Sequence, residues 1–355
     1  MRQVPTRAVH ELSAADAEAV GLLAAGLSRR YRASEDPRFL AAARQLAFRH
    51  LPDSLIDALA RFRDHETSSI LLISGFPVDD AAIGPTPDGW KAQPDPASTL
   101  PEELYLLLLA STLGEPFGWA TLQEGHIVQN VLPVREQEFE QSGHGSLVTL
   151  AWHTEDGFHP YRCDYLSLMA LRNDELVPTT VGGMDDVSLM AGCRAVLQQP
   201  RFLIRPDNEH INQRARDGEE SSEDLPLDWY EPEPTAVLFG SPVHPYLRID
   251  PYFMAALPGD SQAAEALATL EAELERVLTD VPLARGTVAF IDNYRAVHGR
   301  QAFRPRYDGR DRWLKKAVIT RDLRKSRAAR DQAGSRVLLP TPLRLGPKVL
   351  AGSPQ

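Results

Sequence analysis

The run Trp152-His153-Thr154-Glu155-Asp156 puts an imidazole and a carboxylate two positions apart. On extended backbone, residues i and i+2 point to one face. His153 and Glu155 can therefore offer a nitrogen and an oxygen to a common point. A second imidazole would complete a two-histidine, one-carboxylate set, which leaves open positions on Fe(II) for a cosubstrate and O2. His298 is the candidate, because it follows an apolar run and a turn and is itself followed by Gly299. Fourteen residues later comes Arg312, just ahead of the apolar run that begins at Trp313. A planar guanidinium grips a carboxylate through two parallel hydrogen bonds. Arg312 could thus hold the far end of a dicarboxylate. Taken singly, a His-x-Glu triplet is usually chance and an Arg is usually a surface charge. The order His-x-Glu, long β-rich interval, His, then Arg on the next strand is far less expected by chance.

These residues need elements to carry them. Ser13 caps a helix that runs through Leu27, with Asp16 three residues on. Residues 37–62 repeat the helical spacing, with a break near Pro52. The apolar, β-branched run at 70–73 reads as a buried strand, and 79–101 as a loop rich in Pro, Gly and Asp. A helix is predicted over 101–114. Strands are then predicted at 127–132, 165–171, 202–205, 236–239, 246–249, 288–292 and 313–320, with helices only at 187–198 and 261–278. Many short strands with few crossovers indicate an antiparallel sandwich or barrel. The polar stretch 207–233, with Glu219-Glu220-Ser221-Ser222-Glu223-Asp224 at its centre, reads as a surface loop able to act as a lid. The expected organisation is one decorated β-domain over 1–355: a helical part to about 114, a β core over 115–320 and a tail over 321–355.

Bulk properties narrow the function. The chain has 355 residues, 43% hydrophobic and 25% charged, and a net charge of −11. That balance opposes nucleic-acid binding, which needs clustered Lys and Arg. It mildly favours cationic small molecules. Cys163 and Cys193 show neither metal-site nor disulfide spacing. No apolar run is long enough to cross a membrane, and a cytoplasmic location is expected.

The chain resembles the clavaminate synthase-like Fe(II)/2-oxoglutarate oxygenases, and within them the bacterial hydroxylases of free arginine, lysine and asparagine. The motifs that carry the likeness are Phe117-Gly118-Trp119-Ala120-Thr121, Trp152-His153-Thr154-Glu155-Asp156, Pro160-Tyr161-Arg162, Phe202-Leu203-Ile204-Arg205-Pro206-Asp207, and the stretch from Phe290-Ile291-Asp292-Asn293 to Trp313-Leu314-Lys315. The resemblance implies an α+β fold, mainly β, with a double-stranded β-helix (jelly-roll, cupin-like) core flanked by helices. It implies that His153, Glu155 and His298 ligate iron, that Arg312 and Thr180 hold 2-oxoglutarate, and that 207–233 closes over the amino acid. Ascorbate is expected to help.

For the substrate, the resemblance makes Glu155 a partner of the substrate amine and Lys316 the partner of its carboxylate, where related enzymes carry an arginine. Arginine hydroxylases of this kind grip the guanidinium with two aspartates spaced i and i+2 and a glutamine. This chain has Asp250 but Tyr252 at the second place, and Leu122 at the third. Buried donors left unpaired cost roughly 1–3 kcal/mol each. A guanidinium has five donors and an ammonium three. Lysine is therefore the expected substrate, hydroxylated at C3, with arginine, citrulline and ornithine as alternatives. A non-catalytic metal-binding barrel, a Zn(II) hydrolase and a peptide hydroxylase are the competing readings from other classes.

Overall fold

The computed structural model describes residues 7–93, 95–207, 210 and 232–340. Its strands, in chain order, are β1 (Arg7–Glu11), β2 (Ile70–Ser74), β3 (Glu115–Trp119), β4 (Gln129–Val131), β5 (Leu150–His153), β6 (Tyr165–Arg172), β7 (Pro178–Gly183), β8 (Phe202–Ile204), β9 (Leu238–Gly240), β10 (Pro245–Leu247), β11 (Met254–Ala256), β12 (Thr279–Pro282), β13 (Val288–Asp292), β14 (Ala296–Arg300), β15 (Trp313–Thr320) and β16 (Val337–Leu338). The larger sheet runs β1-β2-β13-β6-β15-β3-β16, with β4 also on β15. The smaller runs β12-β7-β14-β5. Two short ladders, β9–β10 and β8–β11, stand beside them. This is the expected double-stranded β-helix.

Alternation along the central strands sorts side chains into two layers. Tyr165, Met169, Val288, Phe290, Ala317 and Ile319 face the helices. Leu166, Leu168, Ala170, Ala289, Ile291, Leu314 and Val318 face inward, toward the other sheet. The helix Leu100–Leu113 covers the outer face and is buried on nearly every side, which its run of leucines permits. Outside it lie the helices Ala14–Arg30, Pro37–His50 and Asp53–His65. Ser13 caps the first as expected: its Oγ accepts from the Asp16 N–H at 3.1 Å and donates to the Asp16 carboxylate at 2.8 Å. Pro52 separates the second and third.

Several strands are not foreseen by apolar patterning, β5, β7 and β14 among them. Their polar residues point into the space between the sheets. The helix predicted at 187–198 is shorter, Ala191–Leu197. Within the predicted tail, β16 adds in parallel to β3. Of the predicted lid, only 207, 210, 232 and 233 are among the described residues. Among the described residues, no helix is long and apolar enough to cross a membrane.

Candidate metal centre and anion pocket

Strands β5 and β14 are antiparallel neighbours, and His153 pairs directly with His298. That register brings the two imidazoles together, ring centroids 4.5 Å apart. Glu155 Oε2 lies 3.2 Å from His298 Nε2 and 3.8 Å from His153 Nε2. One donor atom from each residue falls within 4.8 Å of the others. His153 Nδ1 donates to the Ala151 carbonyl at 2.8 Å, which turns Nε2 toward the centre. His298 Nδ1 is buried without a hydrogen-bond partner. Two imidazoles and a carboxylate converging from one side fit a metal that must keep free positions.

The charges are strongly coupled. Burial alone would raise the Glu155 carboxyl, but Lys316 and the two imidazoles hold it well below its ordinary value. Burial likewise opposes charge on His153, yet Glu155, Asp250 and the Ala151 carbonyl prevail and lift it to about 9. Burial, and then the neighbouring His153, pushes the His298 imidazole below its ordinary value.

Each residue around Glu155 is tied to a different element. The Thr154 N–H donates to the Ile249 carbonyl at 2.9 Å, and Thr154 Oγ1 accepts from the Ile249 N–H at 3.1 Å. Asp156 has a left-handed backbone, φ 50°. Its Oδ2 accepts from Trp119 Nε1 at 2.6 Å and its Oδ1 accepts from His210 Nε2 at 2.9 Å. The other His210 nitrogen meets Thr121 Oγ1 at 2.6 Å. Asp156, Asp207 and His210 thus form a second group with metal-ligand chemistry. Both of its imidazole nitrogens already have protein partners, so it is a hydrogen-bonded brace.

A cavity of about 80 Å³ opens beside the three donors; Val131, Leu168 and Leu314 give it an apolar wall, and Thr179, Arg300 and Arg312 a polar end. Arg312 is buried, its Nη2 donates to Thr179 Oγ1 at 3.2 Å, and its Nε has no partner. Burial, then the neighbouring Arg300, pushes its pKa down to about 9. Among the described residues no carboxylate forms an ion pair with it. A buried cation without a counter-ion is costly, and a bound carboxylate would relieve that cost. Arg300 donates to the carbonyls of Gly145 and Val148, holding the loop that lines the cavity mouth. Gly299 lies between the two inward residues of β14. A Cβ there would sit 2.6 Å from the Leu150 carbonyl oxygen and 3.1 Å from Trp152 Cα.

The expected site residues divide clearly. His153, Glu155, His298, Arg312 and Lys316 all line the cavity. Lys316 Nζ donates to Glu155 Oε1 at 2.8 Å. Thr180 does not line it. In the β7–β14 register Thr180 pairs with Gly299, while Thr179 pairs with the inward Arg300. A strand's faces alternate, so Thr179 faces the cavity and Thr180 does not. Asp250 is close enough to His153 for each to shift the other's pKa, and its Oδ1 accepts from the N–H groups of Tyr252 and Phe253. Tyr252 is 58% exposed and Leu122 is packed in the core, so neither lines the cavity. Asp207 does, at the first position of the predicted lid. Its place at the end of the motif Phe202–Asp207 was the available signal.

Residues 102–318 match the family described as taurine catabolism dioxygenase TauD, TfdA family. The chain is 44% identical to an enduracididine beta-hydroxylase of Streptomyces hygroscopicus, over 91% of this chain and 97% of the relative. It is 41% identical to an L-ornithine/L-arginine 3-hydroxylase of Catenulispora acidiphila, over 92% and 98%. An L-lysine 3-hydroxylase of the same organism is 30% identical, over 82% and 79%. The non-heme iron oxygenase OrfP, solved with Fe, succinate and (3S)-hydroxy-L-Arg, superposes with a TM-score of 0.87 at 42% identity, over 93% of this chain and 99% of that one. OrfP is also known with Fe and alpha-ketoglutaric acid.

Proposed function

Because this chain belongs to the TauD/TfdA dioxygenase family, we propose that it is an Fe(II)- and 2-oxoglutarate-dependent hydroxylase of free L-arginine, or a close guanidino amino acid, acting at C3. The carrying observation is the buried guanidinium of Arg312, with no carboxylate paired to it among the described residues, in the same cavity as the His153/Glu155/His298 set. A dicarboxylate that chelates the metal and reaches Arg312 suits that arrangement.

Bound iron supplies the oxygen chemistry: one oxygen atom of O2 goes to the amino acid, as 2-oxoglutarate becomes succinate and carbon dioxide. The protein's own residues do the positioning. His153, Glu155 and His298 hold the metal. Arg312 and Thr179 take the distal carboxylate, and Val131, Leu168 and Leu314 exclude water from the methylene chain. Glu155 Oε1, which accepts from Lys316 Nζ at 2.8 Å, would also receive the substrate ammonium, and Lys316 would take the substrate carboxylate. Anchoring the amine at a metal ligand sets the near end of the side chain, C3, over the reacting centre.

The lysine expectation rested on counting one aspartate where a guanidinium needs more. Asp207 lines the cavity, and Asp250 lies near enough to His153 for each to shift the other's pKa, so a second carboxylate is at hand; this supports the arginine alternative. So does the closer similarity to enzymes named for arginine, ornithine and enduracididine than to those named for lysine. The test is incubation with Fe(II), ascorbate and 2-oxoglutarate against arginine, enduracididine, ornithine, citrulline and lysine, with products read by mass spectrometry. One oxygen gained on a guanidino substrate, with lysine slower by at least tenfold, is expected. Faster turnover of lysine would overturn the substrate assignment.

A further inference from the structure

Asn293 sits in the turn from β13 to β14 and is wholly buried (0% exposed). Its side chain grips the backbone of one residue from both sides. Oδ1 accepts from the Glu155 N–H at 2.7 Å, and Nδ2 donates to the Glu155 carbonyl at 2.9 Å. The second Nδ2 hydrogen reaches the Cys163 carbonyl at 3.0 Å. The Asn293 N–H donates to the Asp164 carbonyl at 2.9 Å, which fixes the turn itself. Five residues further on, the same turn delivers His298.

Glu155 needs such support. It lies beyond the end of β5, so no sheet ladder pairs its backbone, and Asp156 after it adopts a left-handed conformation. Nothing in regular secondary structure sets where its side chain begins. We propose that Asn293 is a positioning residue that sets the metal affinity of this site, by locking the Glu155 peptide groups to the turn that also carries His298. The proposal rests on the reading that His153, Glu155 and His298 hold the metal. Only a carboxamide of this length meets the need. Aspartate would set an acceptor against two carbonyl oxygens, and a hydrocarbon would leave three buried backbone groups unanswered.

The fold contains its own control. Asn173 forms the same three bonds elsewhere: Oδ1 accepts from the Val177 N–H, and Nδ2 donates to the carbonyls of Val177 and Leu283, each at 3.0 Å. It is also buried, at 3% exposure, yet its clamp touches none of the three metal donors. Asn173→Asp therefore reports the structural cost of losing such a clamp.

The experiment is a Mn(II) titration followed by electron paramagnetic resonance, with a thermal melt of each apo-protein, on wild type, Asn293→Asp, Asn293→Ser, Asn173→Asp and Glu155→Ala. Loss of an outer partner of a metal ligand typically weakens binding 10- to 100-fold. The Asn293 variants are expected to weaken Mn(II) binding within about that range. Asn173→Asp is expected to lower the melting temperature comparably while keeping the wild-type Kd. If Asn293→Asp fails to fold, Asn293→Gln, which keeps both amide groups one methylene further out, carries the same comparison. Loss of binding in Glu155→Ala but not in the Asn293 variants overturns the clamp alone, as does equal weakening in Asn173→Asp. Equal binding by wild type and Glu155→Ala overturns the metal-site reading and the clamp with it.

Discussion

Strand β15 carries two lysines back to back, and the two sides of the strand treat them differently. Lys315 faces the helical layer and Lys316 faces the cavity. Each sits 2.8 Å from a glutamate oxygen, Glu103 on one side and Glu155 on the other, and both side chains are largely buried, at 1% and 13% exposure. On the helical side the glutamate is fully answered: Ser34 Oγ donates to Oε2 at 2.6 Å and Thr99 Oγ1 to Oε1 at 2.9 Å. On the cavity side Glu155 turns its second oxygen to two imidazoles. Distance and burial therefore do not separate a structural ion pair from a working one. The difference is whether the carboxylate's remaining partners are fixed hydroxyls or groups that a ligand can replace.

Truncating the two lysines should pull the comparison apart. Removing one partner of a buried pair costs about 3–5 kcal/mol, so Lys315→Met should lower the melting temperature markedly with KM values unchanged. Lys316→Met should in addition raise the amino-acid KM roughly 10- to 100-fold, the worth of a hydrogen bond to a charged group. An unchanged KM in Lys316→Met would erase the distinction. Glu102, next to Glu103, sharpens it. Its Oε2 is buried and unpartnered, and burial lifts its pKa to about 7. For an acid held above its unfolded value near 4.5, the penalty is absent below pH 4.5, grows as pH rises and is complete above 7. Glu102→Gln should therefore gain up to about 3 kcal/mol at pH 8 and almost nothing at pH 4.5, as chemical denaturation at the two pH values would read. The smallest effect concerns the cavity's polar end. Thr179→Val should raise the KM for 2-oxoglutarate about three- to tenfold by leaving a buried Arg312 donor unpaired, whereas Thr180→Val should not. The opposite pattern would mean that β7 is read one residue out of register.

What the sequence disclosed follows the same division. The helical layer and the central strands β2, β6, β13 and β15 were legible, because their burial on both faces leaves continuous apolar runs. The chemistry was legible as residue types: His153, Glu155, His298 and Arg312 converge as their order suggested. The strands that deliver them were not. β5, β7 and β14 turn His153, Thr179, His298 and Arg300 toward the cavity, so the hydrophobic alternation that announces a strand is missing where the strand is functional. That Thr179 and not Thr180 faces the cavity was not legible, because residue type gives no face without register. That Asp207 lines the cavity while Tyr252 is exposed was not legible either, because sequence distance from the metal motif says little about which loop returns to it.

Gly299 has a consequence for the history and engineering of such an enzyme. With a backbone carbonyl oxygen 2.6 Å from where its Cβ would stand, any larger residue must pry apart the two strands that bring His153 beside His298. A lineage drifting toward a new substrate is free to exchange the groups around the cavity mouth, but position 299 is a fixed point. A directed-evolution library for new amino acids is best built by varying 207 and 250 while leaving that glycine alone.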